Sequence, residues 1–154
     1  MSSITAWRIS PARYQATAFS GEDAKEHGGR WGSVGTPLVY TSASLALATL
    51  ELLVRIGARE RLGERVCLPI TFRDAHVQVR NIGDLSDGWD ARPYTAISQA
   101  IGDRWVDAGA SLVLRLPSVV VPTEYTYLIN PRHPAFDEVE LGRPRPLQLD
   151  PRLL

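Results

Sequence analysis

The arrangement of its apolar segments constrains the fold of this chain more than any other feature of the sequence. Alternating apolar residues predict seven strands, over residues 7–9, 38–40, 66–72, 77–79, 112–116, 119–121 and 125–129. Most of these segments are separated by little more than a turn, and a regular alternation of strands with helices is missing. The order therefore predicts an α+β fold with a compact core built on a mixed or mostly antiparallel sheet.

Two segments have the pattern of helices. Residues 42–58 are rich in Leu and Ala, and Thr41 or Ser42 is the predicted N-terminal cap. Backbone amides that are left free at such a cap can also hold an anion. The second helix is predicted over residues 94–108, because Gly109 is a residue type that commonly ends a helix.

Length and composition exclude several classes of protein. With 154 residues, we expect a single domain over residues 1–154. Seventeen basic and 17 acidic residues cancel, so neither direct nucleic-acid binding nor membrane binding is expected. The single cysteine excludes an internal disulfide, and the three histidines are too far apart for a local zinc motif. No segment resembles a targeting or membrane-spanning sequence, so we expect a cytoplasmic protein.

A glycine-rich segment, residues 28–35, carries the first candidate site residues. It places Arg30 and Trp31 among four glycines, which allow a backbone to approach a ligand closely. The segment lacks the Gly-Lys-Ser/Thr of a phosphate-binding P-loop, and it neither follows a strand nor opens a helix as a dinucleotide-binding motif does. The alternative is a tight connection in which Trp31 fills the core.

The helix over residues 42–58 carries an acidic residue among apolar ones. Glu51 has leucines on both sides in the sequence and Leu47, Ala48 and Val54 as helical neighbours. A carboxylate on or beside an apolar face is a candidate catalytic group. The alternative is an ion pair with Arg55, four residues further along the helix.

Two polar residues follow apolar runs near the C-terminal end. Ser118 follows a proline, and Asn130 precedes one, so both have the pattern of turn residues. Ser118 lacks the Gly-x-Ser-x-Gly motif of a serine-hydrolase nucleophile. Neither residue carries a functional prediction when it is taken alone.

The order and spacing of these segments together resemble the RES-domain family, the toxin halves of bacterial toxin–antitoxin pairs. That family is named for an arginine, a glutamate and a serine, which match Arg30, Glu51 and Ser118. Gly32 departs from the family pattern, which usually has asparagine after the tryptophan. Further matches extend the resemblance over about residues 7–136, at Arg8 and at residues 99–105 and 130–134.

The resemblance implies a fold similar to that of ADP-ribosyltransferases and a toxin that consumes NAD as its substrate, with no prosthetic group and no metal. Cleavage of the nicotinamide–ribose bond develops positive charge on the ribose, which a carboxylate stabilises. The catalytic residues it implies are Arg30, Tyr40, Glu51 and Ser118. The NAD-binding residues it implies are Arg8, Trp31, Thr41, Ser42 and Asn130.

Three hypotheses for function remain open from the sequence. The first is a toxin that degrades NAD by hydrolysis or phosphorolysis, the second an ADP-ribosyltransferase that modifies a protein, and the third a binding module without catalysis. The resemblance also implies an antitoxin partner of helix-turn-helix (Xre) type. A homodimer within a larger toxin–antitoxin complex is expected because two-fold assemblies are common.

Overall fold

A computed structural model describes residues 2–57 and 62–154 of the chain. The strands are β1 (Ser3–Pro11), β2 (Val39–Ser42), β3 (Arg65–Arg73), β4 (Val77–Val79), β5 (Val113–Pro117), β6 (Tyr125–Ile129), β7 (Glu140–Leu141) and β8 (Arg145–Pro146). The helices are α1 (Glu22–His27), α2 (Leu45–Ile56) and α3 (Ala96–Ala108). Short 3-10 turns form at Ala12–Thr17, Asp74–His76, Ile82–Asp84, Pro134–Glu138 and Pro151–Leu153.

The strands form one mixed sheet. Its order is β4-β5-β6-β2-β1-β3-β7, and β8 also pairs with β3. β4 and β5 are parallel, and the other neighbouring pairs are antiparallel. The predicted α+β fold with a mixed sheet is therefore confirmed.

The two long helices pack on the same face of the sheet. Neighbouring residues of a strand point to opposite faces, and the core clusters follow this rule. Ala48, Leu52 and Ile56 of α2 pack with Ile9 and Cys67 of β1 and β3, and Ile101 and Trp105 of α3 pack with Leu114 and Leu128 of β5 and β6. The adjacent residues Leu68, Val113 and Ile129 belong to the cluster on the other face.

The first predicted helix begins later than the sequence indicated. Thr41 and Ser42 belong to β2, where they pair with Tyr127 and Thr126 of β6, so neither caps the helix. The cap is Ser44, whose hydroxyl accepts a hydrogen bond from the Leu47 amide. The cap prediction was wrong because cross-strand pairing continues through Ser42, and the predicted end at residue 58 lies outside the described residues.

Two other boundaries differ from the prediction. The strand predicted over residues 119–121 does not form, because Ser118 accepts hydrogen bonds from the Val120 and Val121 amides and turns the chain. α3 begins at Ala96 rather than at residue 94, because Thr95 is in extended conformation and accepts from the Ile97 amide as the cap. Its predicted end at Gly109 is confirmed.

Within residues 2–57 and 62–154, none of the helices has both the length and the apolar character needed to span a membrane.

Candidate active site

A cavity of about 630 Å³ opens on the helical face of the sheet. Its walls come from β1, β2, α2, the glycine-rich segment and the chain before α3. This volume lies within the range of roughly 300–1,000 Å³ that is typical of small-molecule sites. The lining includes these sequence-predicted site residues: Arg8, Arg30, Trp31, Tyr40, Thr41, Ser42 and Glu51.

Glu51 is held by three hydroxyl groups. Its Oε1 accepts hydrogen bonds from Ser118 at 2.8 Å and from Thr126 at 3.4 Å, and its Oε2 accepts one from Ser42 at 3.4 Å. We call these three side chains the hydroxyl cage. Burial raises the pKa of Glu51, and the hydrogen bonds of the cage offset this shift only in part. The site therefore contains a carboxylate that is fixed in orientation and poorly solvated.

The hydroxyl cage replaces the ion pair that was the alternative for Glu51. Among residues 2–57 and 62–154, no ion pair within 4.0 Å involves Glu51. Arg55 also lines the cavity and acts on the Glu51 pKa as a more distant charge, behind burial and the three hydroxyls. Within the described residues, the Glu51 carboxylate is therefore held by hydroxyl groups and not by a direct ion pair.

Ser118 lies behind Glu51 and outside the lining of the cavity. Its side chain is fully buried at 0% exposure, and its hydroxyl donates to Glu51 while accepting from two backbone amides. Every hydrogen-bonding position of this hydroxyl is thereby occupied within the protein. The structure therefore brings Ser118 to Glu51 rather than to the open space of the cavity.

Arg30 is fixed by backbone carbonyl groups. Its Nη1 donates to the Trp89 carbonyl at 2.9 Å and its Nη2 to the Ala91 carbonyl at 3.0 Å. Since a guanidinium group has five N–H donors, three remain for a ligand. Within the described part of the chain, no carboxylate oxygen lies within 4.0 Å of the Arg30 guanidinium. Its charge is therefore available to an anion.

Residues of α3 hold the backbone of the glycine-rich segment. The Ser98 hydroxyl donates to the Arg30 carbonyl, and the Gln99 amide group donates to the Gly29 and Gly32 carbonyls. A methyl group on Gly102 would lie 1.7 Å from the Trp31 carbonyl oxygen, so only glycine permits this approach. These contacts give a physical reason for the motif over residues 99–105.

Asp103 completes this attachment. Its carboxylate accepts hydrogen bonds from the Ser33 amide and hydroxyl and from the Thr36 hydroxyl. Partial burial acts to raise the pKa of Asp103, but these hydrogen bonds outweigh it and hold the pKa below its usual value. The far end of the glycine-rich segment is therefore attached to α3 by a charged group.

Tyr40 and Trp31 connect the glycine-rich segment to the sheet. The Tyr40 hydroxyl accepts a hydrogen bond from the Trp31 amide at 2.9 Å, and burial raises the pKa of Tyr40, which keeps the phenol neutral. Gly29 packs so closely that a methyl group there would lie 2.7 Å from this hydroxyl. Trp31 is 2% exposed, and its ring stacks on that of Trp89, as expected if it fills the core.

Gly32, where the sequence departs from the family pattern, forms a hydrogen bond within the glycine-rich segment. Its carbonyl accepts from the Gly29 amide at 2.9 Å, and the residue is buried. A methyl group at this position would lie 2.6 Å from Leu38 Cδ1, the end of a flexible side chain. A larger residue therefore requires Leu38 to move.

Arg8 forms part of the cavity wall beneath Tyr40. Its Nη1 donates to the Tyr40 carbonyl at 3.3 Å, and its Nη2 lies 4.0 Å from Asp23 Oδ2. Its buried Nε has no hydrogen-bond partner among residues 2–57 and 62–154. Burial lowers the pKa of Arg8, and Asp23 partly offsets that shift. The group stays charged at neutral pH because an arginine side chain is not deprotonated in proteins.

The side chains of two further predicted residues form hydrogen bonds with the backbone. The Thr41 hydroxyl donates to the Tyr127 carbonyl at 2.7 Å, although Thr41 lines the cavity. Asn130 is 4% exposed, its Oδ1 accepts from the Arg132 amide, and it lies outside the lining. Asn130 is therefore a turn residue in the structure, as its sequence pattern indicated.

Sequence reasoning missed several residues of this site. Thr126 completes the hydroxyl cage, while Arg55 and Arg92 add positive charge to the cavity. The lining thus has four arginines against two carboxylates, Asp23 and Glu51. Thr126 pairs with Ser42 across β2 and β6, and this register is visible only in the folded sheet. Arg92 has no comparable signal, because it lies in an irregular segment.

No group of three or more His, Cys, Asp or Glu side chains able to hold a metal ion occurs in the part of the chain that the structure describes.

Comparison with known proteins shows which family this chain resembles. Residues 5–150 match the RES domain. The chain is 38% identical over 153 residues to the Prs ADP-ribosylating toxin of Sphingobium sp. (strain YBL2), covering 96% of this chain and 95% of the relative. It is 35% identical over 148 residues to Toxin Res of Yersinia enterocolitica, covering 96% of this chain and 97% of that relative.

A solved structure shares the fold. One chain of the crystal structure of the M. tuberculosis MbcT–MbcA toxin–antitoxin complex superimposes with a TM-score of 0.79 at 17% identity, covering 95% of this chain and 85% of that one. The family match and the two relatives each extend over nearly the whole chain. They agree with the resemblance carried by Arg30, Glu51 and Ser118, and the chain therefore belongs to the RES-domain toxin family.

Proposed function

We propose that this chain is a toxin that consumes NAD by breaking the bond between nicotinamide and ribose. The observation that carries the proposal is the half-buried Glu51 carboxylate, held by the hydroxyl cage in the wall of a cavity with four arginines. The arginines suit an anionic ligand, and the carboxylate suits a reaction that develops positive charge. A dinucleotide combines both properties, because it has a pyrophosphate and a pyridinium ring that leaves as neutral nicotinamide while positive charge develops on the ribose.

Glu51 has the properties needed to stabilise the transition state. As the C–N bond breaks, its electron pair moves to the pyridinium nitrogen, and the ribose ring acquires oxocarbenium character. A carboxylate that is already oriented and poorly solvated stabilises this charge without reorganisation. Neutral nicotinamide is a good leaving group, so the site needs no strong general acid.

The remaining residues of the site have binding and positioning roles in this proposal. Arg30 is the first choice for the pyrophosphate, because its free N–H groups can grip two oxygens, and Arg8 is the second choice. Tyr40 stacks on the nicotinamide ring or donates its hydroxyl proton to the ribose. Ser118, Ser42 and Thr126 act through Glu51, whose carboxylate they orient.

The acceptor of the ADP-ribosyl group separates two forms of the proposal. In the first, water or inorganic phosphate attacks the ribose and NAD is degraded. In the second, a protein side chain attacks and becomes ADP-ribosylated, which the name of the 38% identical Sphingobium relative favours. The cavity chemistry is the same in both, because all three acceptors attack the same carbon.

We also propose that an antitoxin restrains this activity. The structural neighbour comes from a toxin–antitoxin complex, and a chain that consumes NAD requires such control. A segment of a helix-turn-helix partner that enters the cavity and offers a carboxylate to Arg30 would exclude the pyrophosphate. A toxin homodimer within the larger complex is part of this proposal.

Expression of the chain without a partner tests the proposed function. We expect growth arrest with loss of cellular NAD if the chain degrades NAD. A protein that becomes labelled from labelled NAD, with little loss of the NAD pool, would instead identify the ADP-ribosyltransferase. Growth arrest with unchanged NAD and no labelled protein would contradict both forms.

The partner is tested separately. The neighbouring reading frame should encode a protein with a helix-turn-helix domain that co-purifies with this chain and inhibits NAD cleavage. A purified complex that cleaves NAD as fast as the free chain would contradict the inhibitory role.

A further inference from the structure

The second half of the glycine-rich segment, residues 33–36, lies at the surface. Val34 is 69% exposed and Gly35 is also exposed, so apolar packing contributes little to the position of this half. Its backbone hydrogen bonds run from the Gly35 amide to the Lys25 carbonyl and, within the segment itself, from the Thr36 amide to the Ser33 carbonyl. The position of this half therefore depends on polar side-chain contacts.

Asp103 of α3 supplies these contacts with both oxygens of its carboxylate. Its Oδ1 accepts hydrogen bonds from the Ser33 amide at 3.0 Å and from the Thr36 hydroxyl at 2.7 Å, and its Oδ2 accepts one from the Ser33 hydroxyl at 2.6 Å. Over the described residues, no cationic side chain lies within 4.0 Å of this carboxylate. Its charge is thus stabilised by donors of the glycine-rich segment, and hydrogen bonds to an ionised acceptor are stronger than neutral ones.

The residues of α3 that contact the segment share one face of the helix. They lie at positions 98, 99, 102 and 103, a spacing that places them side by side on two successive turns. Ser98 binds the Arg30 carbonyl, and Gln99 binds two further carbonyls of the segment. Asp103, four residues after Gln99, binds the opposite end. Arg30 therefore projects from a segment that α3 holds at both ends.

We propose that Asp103 is a positioning residue for NAD cleavage, which acts through the glycine-rich segment to keep the Arg30 guanidinium in place for the substrate. The inference rests on the proposed function, because it takes Arg30 as a residue that binds the dinucleotide. Asp103 lies outside the lining of the cavity, so its effect on the substrate is indirect. Loss of Asp103 weakens binding through Arg30 and leaves the carboxylate of Glu51 in its hydroxyl cage.

Steady-state nicotinamide release separates this role from a contribution to folding alone. We expect Asp103→Ala to raise the KM for NAD about tenfold, the effect of one lost charge-assisted contact, with a much smaller change in kcat. A contribution to folding alone lowers the fraction of active chain, so kcat per total protein falls while KM stays constant. Ser111→Ala is the control for that outcome, because it removes the 2.8 Å hydrogen bond from Trp105 Nε1 near the other end of α3. An unchanged KM in Asp103→Ala would overturn the proposal.

The same contacts can be altered more gently or from the other side. Asp103→Asn keeps an oxygen for the Ser33 amide and the Thr36 hydroxyl, so its KM should rise no more than about threefold. Ser33→Ala combined with Thr36→Val removes two of the three donors at the surface and should raise KM as Asp103→Ala does, even if that variant does not fold. A wild-type KM in the double variant would contradict the role of these contacts.

A double-mutant cycle tests whether the effect passes through Arg30. In an Arg30→Gln background, Asp103→Ala should raise KM no further, because two residues that act on the same contact are not additive. Multiplication of the two separate effects would overturn action through Arg30.

Hydrogen exchange tests the positioning without any reaction. In Asp103→Ala, the amides of residues 29–36 should exchange faster than in the wild-type chain, while those of α2, which carries Glu51, exchange at the same rate. Equal exchange over residues 29–36 in the two proteins would overturn the proposal. If the wild-type chain cleaves no NAD, the proposed function fails, while the exchange measurement still decides whether Asp103 holds the segment.

Discussion

Glu51 and Arg30 line the same cavity, but different kinds of contact hold them. Glu51 is oriented by side-chain hydroxyls from β2, β6 and the end of β5, and burial sets its pKa. Arg30 is fixed through backbone carbonyls, and its segment is attached to α3 by Ser98, Gln99 and Asp103.

This difference separates two ways to inactivate the site. Around Glu51, a change of one or two atoms alters electrostatics while the fold remains. Around Arg30, activity depends on how closely two backbones approach, so a small steric change moves the group itself. The two regions therefore predict different combinations of lost activity and lost stability.

The largest effect is expected at Glu51. Glu51→Gln keeps the shape but removes the charge that stabilises the transition state, so we expect nicotinamide release to fall by about a hundredfold or more. Glu26→Gln is the matched control, because Glu26 is exposed and lies outside the cavity. Equal rates in wild type and Glu51→Gln would remove Glu51 from the mechanism.

The same variant should not be less stable at neutral pH. Burial raises the folded-state pKa of Glu51, so its contribution to stability is greatest below the unfolded pKa and is lost as pH rises through the folded pKa. The unfolding temperature of Glu51→Gln relative to wild type should therefore increase with pH. A variant that loses stability at neutral pH would show that the ionised carboxylate holds the fold together.

Arg30→Lys tests whether the positive charge at this position is sufficient for activity. An ammonium keeps the charge but cannot reproduce the two directed contacts to Trp89 and Ala91. We expect nicotinamide release at subsaturating NAD to fall about tenfold to a hundredfold, the range for a lost charged hydrogen bond. Arg104→Lys should behave as wild type. Full activity in Arg30→Lys would show that charge alone is sufficient.

Gly102→Ala tests the same region through packing alone. The added methyl group would meet the Trp31 carbonyl at 1.7 Å, and such overpacking typically costs about 1–3 kcal/mol. We expect both a lower unfolding temperature and about tenfold slower turnover, since a displaced Arg30 misplaces the substrate. The control is Gly83→Ala, where an added methyl group meets nothing within 4 Å. Unchanged turnover in Gly102→Ala would mean that the close approach does not position Arg30.

Ser118→Ala should have the smallest effect on rate but a distinct pH dependence. It removes the 2.8 Å donor to Glu51, and we expect turnover to fall about two- to tenfold. Because that donor lowers the Glu51 pKa, its loss raises the pKa further, and activity should disappear at higher pH as the medium is acidified. Ser86→Ala, at an exposed serine, is the control. A pH profile identical to that of wild type would contradict the positioning role.

The sequence predicted the fold better than it predicted the site. Periodicity located six of the seven predicted strands and both long helices, because alternation and helical spacing reflect local burial. It failed over residues 119–121, where the apolar run is turned by the Ser118 hydroxyl. A side chain that competes for backbone amides has no periodic signature.

The sequence indicated several residues of the cavity but not the contacts that hold them. Arg30, Tyr40 and Glu51 do line one cavity. The hydroxyl cage depends on the pairing of Ser42 with Thr126, which lie 84 residues apart in the sequence (126 − 42) and meet only in the folded sheet. Arg55 looked like the ion-pair partner of Glu51 because helical spacing alone cannot show that Ser118 occupies that carboxylate.

Release of nicotinamide from NAD by the purified chain tests the central claim most directly. Mass measurement should detect nicotinamide and an ADP-ribosyl product in equal amounts from the wild-type chain, and at least about a hundredfold less from Glu51→Gln that unfolds at the wild-type temperature or above. NAD that remains intact with the folded wild-type chain, or equal nicotinamide release by the two proteins, would contradict the account.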